Sequence, residues 1–250
     1  MPLNDIYRDQ TLVLGHRGAS AYAPMNTLPA FELAVAQGAD GIELDVHLSK
    51  DGHLIVLHDF TVDHTTDGTG RAKDMTLAQL KELDAGVKFD ARFARTRIPT
   101  LDEVFEAVGA HLRLINVEIK SEDLDQTDGV EQAVADCIAR HDLERSVLVS
   151  SFNPYALRRF RAIMPAVAIG CLYMPDEVMS LSLMGETPFE ALHPYHAMID
   201  AAYMTNARQT GRRVNTWTVN DPVRAAELQK LGVDAIITDN PDSILKVVRA

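Results

Sequence analysis

Gly41-Ile42-Glu43-Leu44-Asp45-Val46 alternates strictly between apolar and acidic side chains. In a strand this puts Ile42, Leu44 and Val46 on one face and Glu43 and Asp45 on the other, the two acidic Cα atoms about 6.6 Å apart. Residues 113–120 repeat the pattern, with Ile115, Val117 and Ile119 against Asn116, Glu118 and Lys120. A parallel strand covered on both faces is normally apolar throughout. Acids on the second face of two such strands therefore point into an enclosure where they meet a cation or are protonated. Solvated edge strands are the competing reading, and the uniformly apolar opposite faces weigh against it.

Outward from this stretch, short β-branched or Leu-rich runs alternate with segments of helical period, the pattern of repeated βα units around a parallel sheet. Strands are expected over 11–16, 41–46, 113–120, 146–152, 167–173, 191–193, 213–219 and 234–238. Eight is the number of a (β/α)8 TIM barrel, and 250 residues is a typical length for one, so the expected fold is an α/β barrel, one domain over 1–250. Leu28, Phe31, Ala34 and Val35 fall on one helical face, with Thr27 as the expected N-cap and Gly38 as the stop. Thr100 with Glu103 has capping-box spacing, and Asp221 with Pro222 reads as a cap followed by a first-turn proline. Residues 59–99 break the alternation. A connection this long carries function or its own small structure, and a second capping box, Thr76 with Gln79, opens a short helix inside it. It is expected as an insertion after the second strand, over one barrel face.

Charge excludes some partners. There are 24 Lys and Arg against 36 Asp and Glu, a net charge of −12. That is the wrong sign for nucleic acid or an anionic membrane surface, although a few local cations still suffice for one phosphoester. Residues 1–10 hold no apolar leader core, and no run approaches the roughly 18 apolar residues of a membrane span, so a soluble cytoplasmic chain is expected. Cys137 and Cys171 lack C-x-x-C spacing, which leaves no disulfide framework and no thiolate zinc site. Oligomeric state is not readable from these features.

Glu43, Asp45 and Glu118, if the two polar stripes converge, make a three-carboxylate set suited to one hard divalent ion, Mg²⁺ or Ca²⁺. His16 closes the first strand and His58 closes a short run over 54–57. Each precedes a polar turn, and an imidazole pair serves proton transfer near neutral pH. Arg17 forks naturally onto a phosphate, and Gly15 and Gly18 let the backbone approach closely. His47, His53, His64, His111, His141, His193 and His196 fall in loops or at element ends and are expected mostly at the surface, His193 being the least typical. Trp217, near the end of the seventh strand, is either a wall of the substrate pocket or core.

These residues resemble the glycerophosphodiester phosphodiesterase family: Gly15-His16-Arg17-Gly18-Ala19, Pro24-Met25-Asn26-Thr27, the stretch from Gly41, Val56-Leu57-His58-Asp59, Val117-Glu118-Ile119-Lys120, Thr216-Trp217-Thr218-Val219-Asn220, and the closing run from Gly232 to Asp239. The resemblance covers almost the whole chain and implies a (β/α)8 barrel with an insertion after the second strand. By the same resemblance, Glu43, Asp45 and Glu118 hold the ion, His16 and His58 exchange protons, and Arg17 and Lys120 contact the phosphate; Trp217 is kept as a candidate beside the substrate. The implied reaction is hydrolysis of a small glycerophosphodiester to sn-glycerol 3-phosphate and an alcohol, with His16 as base and His58 as acid. Attack by water and attack by the glycerol 2-hydroxyl through a cyclic phosphate both stay open. Met25 departs from the family, which commonly carries Glu there. Two other readings follow: a phosphodiester-binding protein with decayed activity, and a lysophospholipase D-like enzyme whose apolar groove involves Leu181, Leu183 and Met184.

Overall fold

The computed structural model describes residues 6–7, 10–177 and 179–250, so most of the charged stretch 1–10 lies outside the described residues. In chain order it contains β1 (Leu12–His16), α1 (Leu28–Ala36), β2 (Gly41–Leu48), β3 (Leu54–Val56), α2 (Leu77–Glu82), α3 (Leu101–Val108), β4 (Leu114–Ile119) and α4 (Val130–Arg140). There follow β5 (Val147–Ser151), α5 (Pro154–Ile163), β6 (Ala168–Tyr173), α6 (Met179–Leu183), β7 (Ala191–Pro194), α7 (Ala201–Gln209), β8 (Arg213–Thr216), α8 (Pro222–Leu231), β9 (Ala235–Thr238) and α9 (Pro241–Val248). All strands but β3 are parallel and close a ring, β1 pairing with β2 (Leu14 opposite Gly41) and with β9 (Leu12 opposite Ala235). This is the expected (β/α)8 barrel. β3 adds only an antiparallel ribbon to the far end of β2, Val56 opposite Val46.

Period-two alternation sorts the strands' side chains. Ile42, Leu44, Val46, Ile115, Val117, Ile119, Val147 and Val149 point outward and are buried with Phe31, Phe105, Val134, Leu157 and Phe160 of the helices. Inside, Leu12, Leu14, Leu114, Leu148, Ala191, Ala235 and Ile237 fill the N-terminal half of the barrel, closed below by Ile6 and Tyr7. Above this apolar plug the inward residues turn polar. Glu43 pairs in register with Asn116 and Asp45 with Glu118, so the acidic stripes of β2 and β4 lie side by side.

Both capping boxes form, at Thr76 before α2 and at Thr100 before α3, and Asp221 accepts from the Val223 N–H at the start of α8. Thr27 does not cap α1. Its hydroxyl donates to the Pro24 carbonyl instead, which tightens the preceding turn. β8 stops at Thr216, short of the expected 219, because Trp217 keeps only a single bridge, to Tyr195. Between β3 and α3, Ile55, Leu57, Val62, Ala72, Leu80, Ala85 and Ile98 form a separate small core, and Arg71 and Lys73 reach Glu122 across the groove to the β4–α4 loop.

Two histidines expected at the surface are buried. His47, on β2, is 8% exposed, and His193 lies inside the barrel, where Gly170 makes room: a Cβ there would stand 2.4 Å from His193 Nε2. Burial pushes the His193 imidazole down to about 3, so it is a neutral core residue. Met184 is fully buried, whereas the half-buried Leu181 lines a cavity of about 410 Å³ with Tyr173, Phe189 and Tyr203. Among the described residues no helix is long and apolar enough to cross a membrane.

Candidate active site

Every residue singled out for chemistry except His58 comes from a barrel strand or the residues just after one, toward the end where βα loops converge; His58 follows the ribbon strand β3. β1 delivers His16 and Arg17, β2 Glu43 and Asp45, β3 His58, β4 Glu118 and Lys120, and β8 Trp217. The turn after β1 is forced. Arg17 and Gly18 both take left-handed backbone angles (φ 55° and 85°), and a Cβ on Gly18 would come within 2.5 Å of the Ala30 backbone in α1.

The three carboxylates converge. Glu43, Asp45 and Glu118 are 4%, 1% and 8% exposed, and one oxygen from each lies within 4.8 Å of the others. Burial, with Asp45 and Glu118 beside it, raises the Glu43 carboxyl well above its ordinary range. Burial also lifts Glu118, to about 6, against the pull of Lys120, whose Nζ donates to Glu118 Oε1 at 2.8 Å. Asp45 goes the other way. Burial would raise it, but Lys120 and Arg17 outweigh that and hold it at about 2. Asp45 Oδ1 has no hydrogen-bond partner, Lys120 Nζ standing 3.5 Å away. Crowded carboxylates, one buried oxygen without a donor and an all-oxygen set fit a hard divalent ion.

Each imidazole is held from behind. His16 Nδ1 lies 2.6 Å from Asp239 Oδ1 and His58 Nδ1 lies 2.6 Å from Asp59 Oδ1, which turns both Nε2 atoms toward the site; His16 Nε2 is 3.9 Å from Glu43 Oε2. Asp239 also accepts from Ser20 and Asn220, and these bonds, His16's first among them, overcome burial and hold its carboxyl at about 2. Burial lowers His58 below 6.5, opposed by Asp45. His47 Nε2 donates to the His58 carbonyl at 3.1 Å, supporting the turn from below.

A cavity of about 240 Å³ joins these groups. Its lining combines the polar His16, Arg17, Glu43, His58, Glu118 and Lys120 with the apolar Phe152, Leu172, Met174, Trp217 and Ile237. Trp217 is thus pocket wall. Its indole N–H donates to the His193 carbonyl at 2.8 Å and its ring meets Phe152 edge-on, which fixes its plane. Tyr173 faces away, buried against Tyr203. The Met25 sulfur accepts from Arg17 Nη1 at 3.5 Å, a weak contact. The arginine's Nε is 3.3 Å from Asp45 Oδ2, and its backbone N–H donates to Glu43 Oε2 at 3.1 Å.

Sequence reasoning did not single out Asp239, Asp59, Asn26 or His47. Asp59 directly follows His58 and is the one a local reading reaches; Asp239 meets His16 across 223 positions. A second metal-like group among the described residues, Asp102, Cys137 and His141, is already closed on itself. Arg140 grips both Asp102 oxygens, and burial and Asp102 push the Cys137 thiol up to about 12.

The chain resembles known proteins over nearly its full length. The model of the glycerophosphoryl diester phosphodiesterase family matches residues 16–243. A glycerophosphodiester phosphodiesterase of Caldanaerobacter subterraneus subsp. tengcongensis is 43% identical over 240 residues, 96% of this chain and 98% of that one; another, from Bacillus altitudinis, is 36% identical over 241 residues, 95% and 98%. Among solved structures, an Oleispira antarctica phosphodiesterase in complex with the product sn-glycerol-3-phosphate superposes with a TM-score of 0.88 at 31% identity, covering 98% of this chain and 99% of that one. With sequence and fold in agreement, the chain belongs to the glycerophosphoryl diester phosphodiesterase family.

Proposed function

We propose that this protein hydrolyses small glycerophosphodiesters to sn-glycerol 3-phosphate and an alcohol with the help of one divalent ion, Mg²⁺ or Ca²⁺, all within one domain over 1–250. It is a glycerophosphodiester phosphodiesterase by family. The observation that carries the finer reading is the pairing of two carboxylate-braced histidines with three converging carboxylates around one cavity. When bound by Glu43, Asp45 and Glu118, the ion supplies positive charge to a phosphoryl oxygen. Arg17 and Lys120 orient the phosphate and offset charge that develops on it. His16 takes a proton from the attacking hydroxyl as the new P–O bond forms; His58 gives a proton to the leaving alcohol oxygen as the old bond breaks; where the attacker is the glycerol 2-hydroxyl and not water, a water then opens the cyclic phosphate to give glycerol 3-phosphate. Trp217 and Phe152 flank the bound diester and keep water from the apolar lining.

The test is release of glycerol 3-phosphate from glycerophosphocholine by metal-stripped protein, with Mg²⁺ or Ca²⁺ restored separately. Release only with an ion is expected. Folded protein that binds diesters and releases nothing with either ion is instead a decayed binding protein. The histidine roles have their own readout. With His58 as the acid, kcat/KM falls as pH rises through a value below 6.5, because burial lowers that imidazole. Loss on the acid side through the same value exchanges the two roles.

A further inference from the structure

Asn26 sits in the β1–α1 loop, away from the strand ends that supply the other site residues, and is 2% exposed. Its backbone is left-handed (φ 58°), a conformation Asn tolerates better than other side-chain-bearing residues, and its N–H donates to the Arg17 carbonyl at 3.0 Å. The side chain grips Asp45 twice: Nδ2 donates to Asp45 Oδ2 at 2.8 Å, and Oδ1 accepts from the Asp45 backbone N–H at 3.4 Å. The two oxygens of Asp45 are thereby distinguished. Oδ2 is engaged by Asn26 and approached by Arg17 Nε, while Oδ1 is buried without a hydrogen bond, 3.5 Å from the Lys120 Nζ that donates to Glu118 Oε1.

We propose that Asn26 is a positioning residue of the metal centre, fixing the Asp45 carboxylate through Oδ2 so that Oδ1 is presented to the ion, and tying that orientation to the loop that carries Arg17. This rests on the three-carboxylate reading of the site. A carboxylate free to rotate about its terminal torsion exchanges its two oxygens, and orienting it costs conformational freedom at each binding event; a bond to one oxygen removes that freedom in advance. Partners of this kind typically change metal affinity or activity about 10–100-fold when removed.

The experiment is calorimetric titration of metal-free wild type and Asn26→Gly with Ca²⁺ and Mg²⁺, followed by activity at rising metal concentration. Glycine keeps the left-handed backbone, so the variant isolates the side chain. Expected is a dissociation constant raised about 10–100-fold, with the activity deficit shrinking as metal is raised. A residue that only supports the loop lowers activity equally at all metal concentrations, and that result, or an unchanged affinity, overturns the proposal while leaving the metal site standing. Wild type that binds neither ion removes the three-carboxylate reading itself. Should Asn26→Gly not fold, the side-chain amide protons of Asn26 in wild type decide by NMR: slow solvent exchange retained in the metal-saturated protein supports the grip on Asp45, and free exchange there refutes it.

Discussion

Asp239 shows how one residue gives a chemically ordinary imidazole a direction. Its carboxylate collects bonds from His16, Ser20 and Asn220 and stays ionised down to about pH 2. Asp239→Asn keeps the shape but removes the negative charge and turns one acceptor oxygen into an N–H donor, so the anion that selects the His16 tautomer is lost; kcat/KM is expected to drop about 10²–10⁴-fold, with a lowered melting temperature at pH 7, where the ionised carboxylate also contributes stability. Steady-state kinetics beside a thermal melt checks both halves. At the acidic cluster, proton and ion compete for the same oxygens. Burial and the neighbouring carboxylates raise Glu118 to about 6 and Glu43 well above its ordinary range, so apparent metal affinity should weaken as pH falls through about 6, with protons released on binding. Calorimetry in buffers of different ionisation enthalpy measures that release, and an affinity flat from pH 5 to 8 would contradict it.

The element that most needs its own account is the insertion between β3 and α3. It folds on the small core around Leu80, not on the main barrel core, and Arg71 and Lys73 pair with Glu122 at a surface where such contacts are worth little. Leu80→Ala leaves a cavity at a fully buried position and should cost about 2–5 kcal/mol. The cost falls on a unit with a small core of its own, so we expect faster hydrogen exchange over 60–98, reduced activity through the His58 turn, and slow exchange preserved in β4 to β6. Equal acceleration in the barrel strands would show that insertion and barrel unfold together. Thr100→Ala removes a complete capping box where the insertion returns to α3 and should cost about 1 kcal/mol, read from denaturant unfolding.

At the scale of the whole molecule, the barrel holds carboxylates whose mutual repulsion opposes folding. Glu118 is raised from 4.5 to about 6, so the folded chain binds more protons than the unfolded one in that interval. By linkage, the stability this proton gives is present below about 4.5 and is lost as pH rises through about 6. Chelated protein should therefore lose melting temperature between pH 5 and 7, superimposed on other groups, and restored Ca²⁺ or Mg²⁺ should reverse the loss. An ion binding only the folded state adds about 2.7 kcal/mol at a hundred times its dissociation constant. Identical melts with chelator and with ion at pH 7 would count against the site. Asp45 and Asp239, both held at about 2, act oppositely: their contribution is present above about pH 4 and lost as pH falls toward 2.

Much of this was legible before any coordinates. Strict alternation placed Glu43, Asp45 and Glu118 on polar faces, because a strand's side-chain period is fixed at two whatever the fold around it. The βα rhythm implied the barrel, and the break at 59–99 implied the insertion, since both follow from local periodicity and its interruption. Met25 was readable as the odd residue of its motif, but its sulfur on Arg17 was not. What only the tertiary structure decided are contacts between segments far apart in sequence: Asp239 behind His16, Asn26 on Asp45, His47 under the His58 carbonyl, and His193 in the space left by Gly170. The sequence by itself determined which faces are polar, because that is a property of each strand alone. Which polar groups meet, and with what pKa, depends on barrel closure and burial, which bring distant strands and loops together.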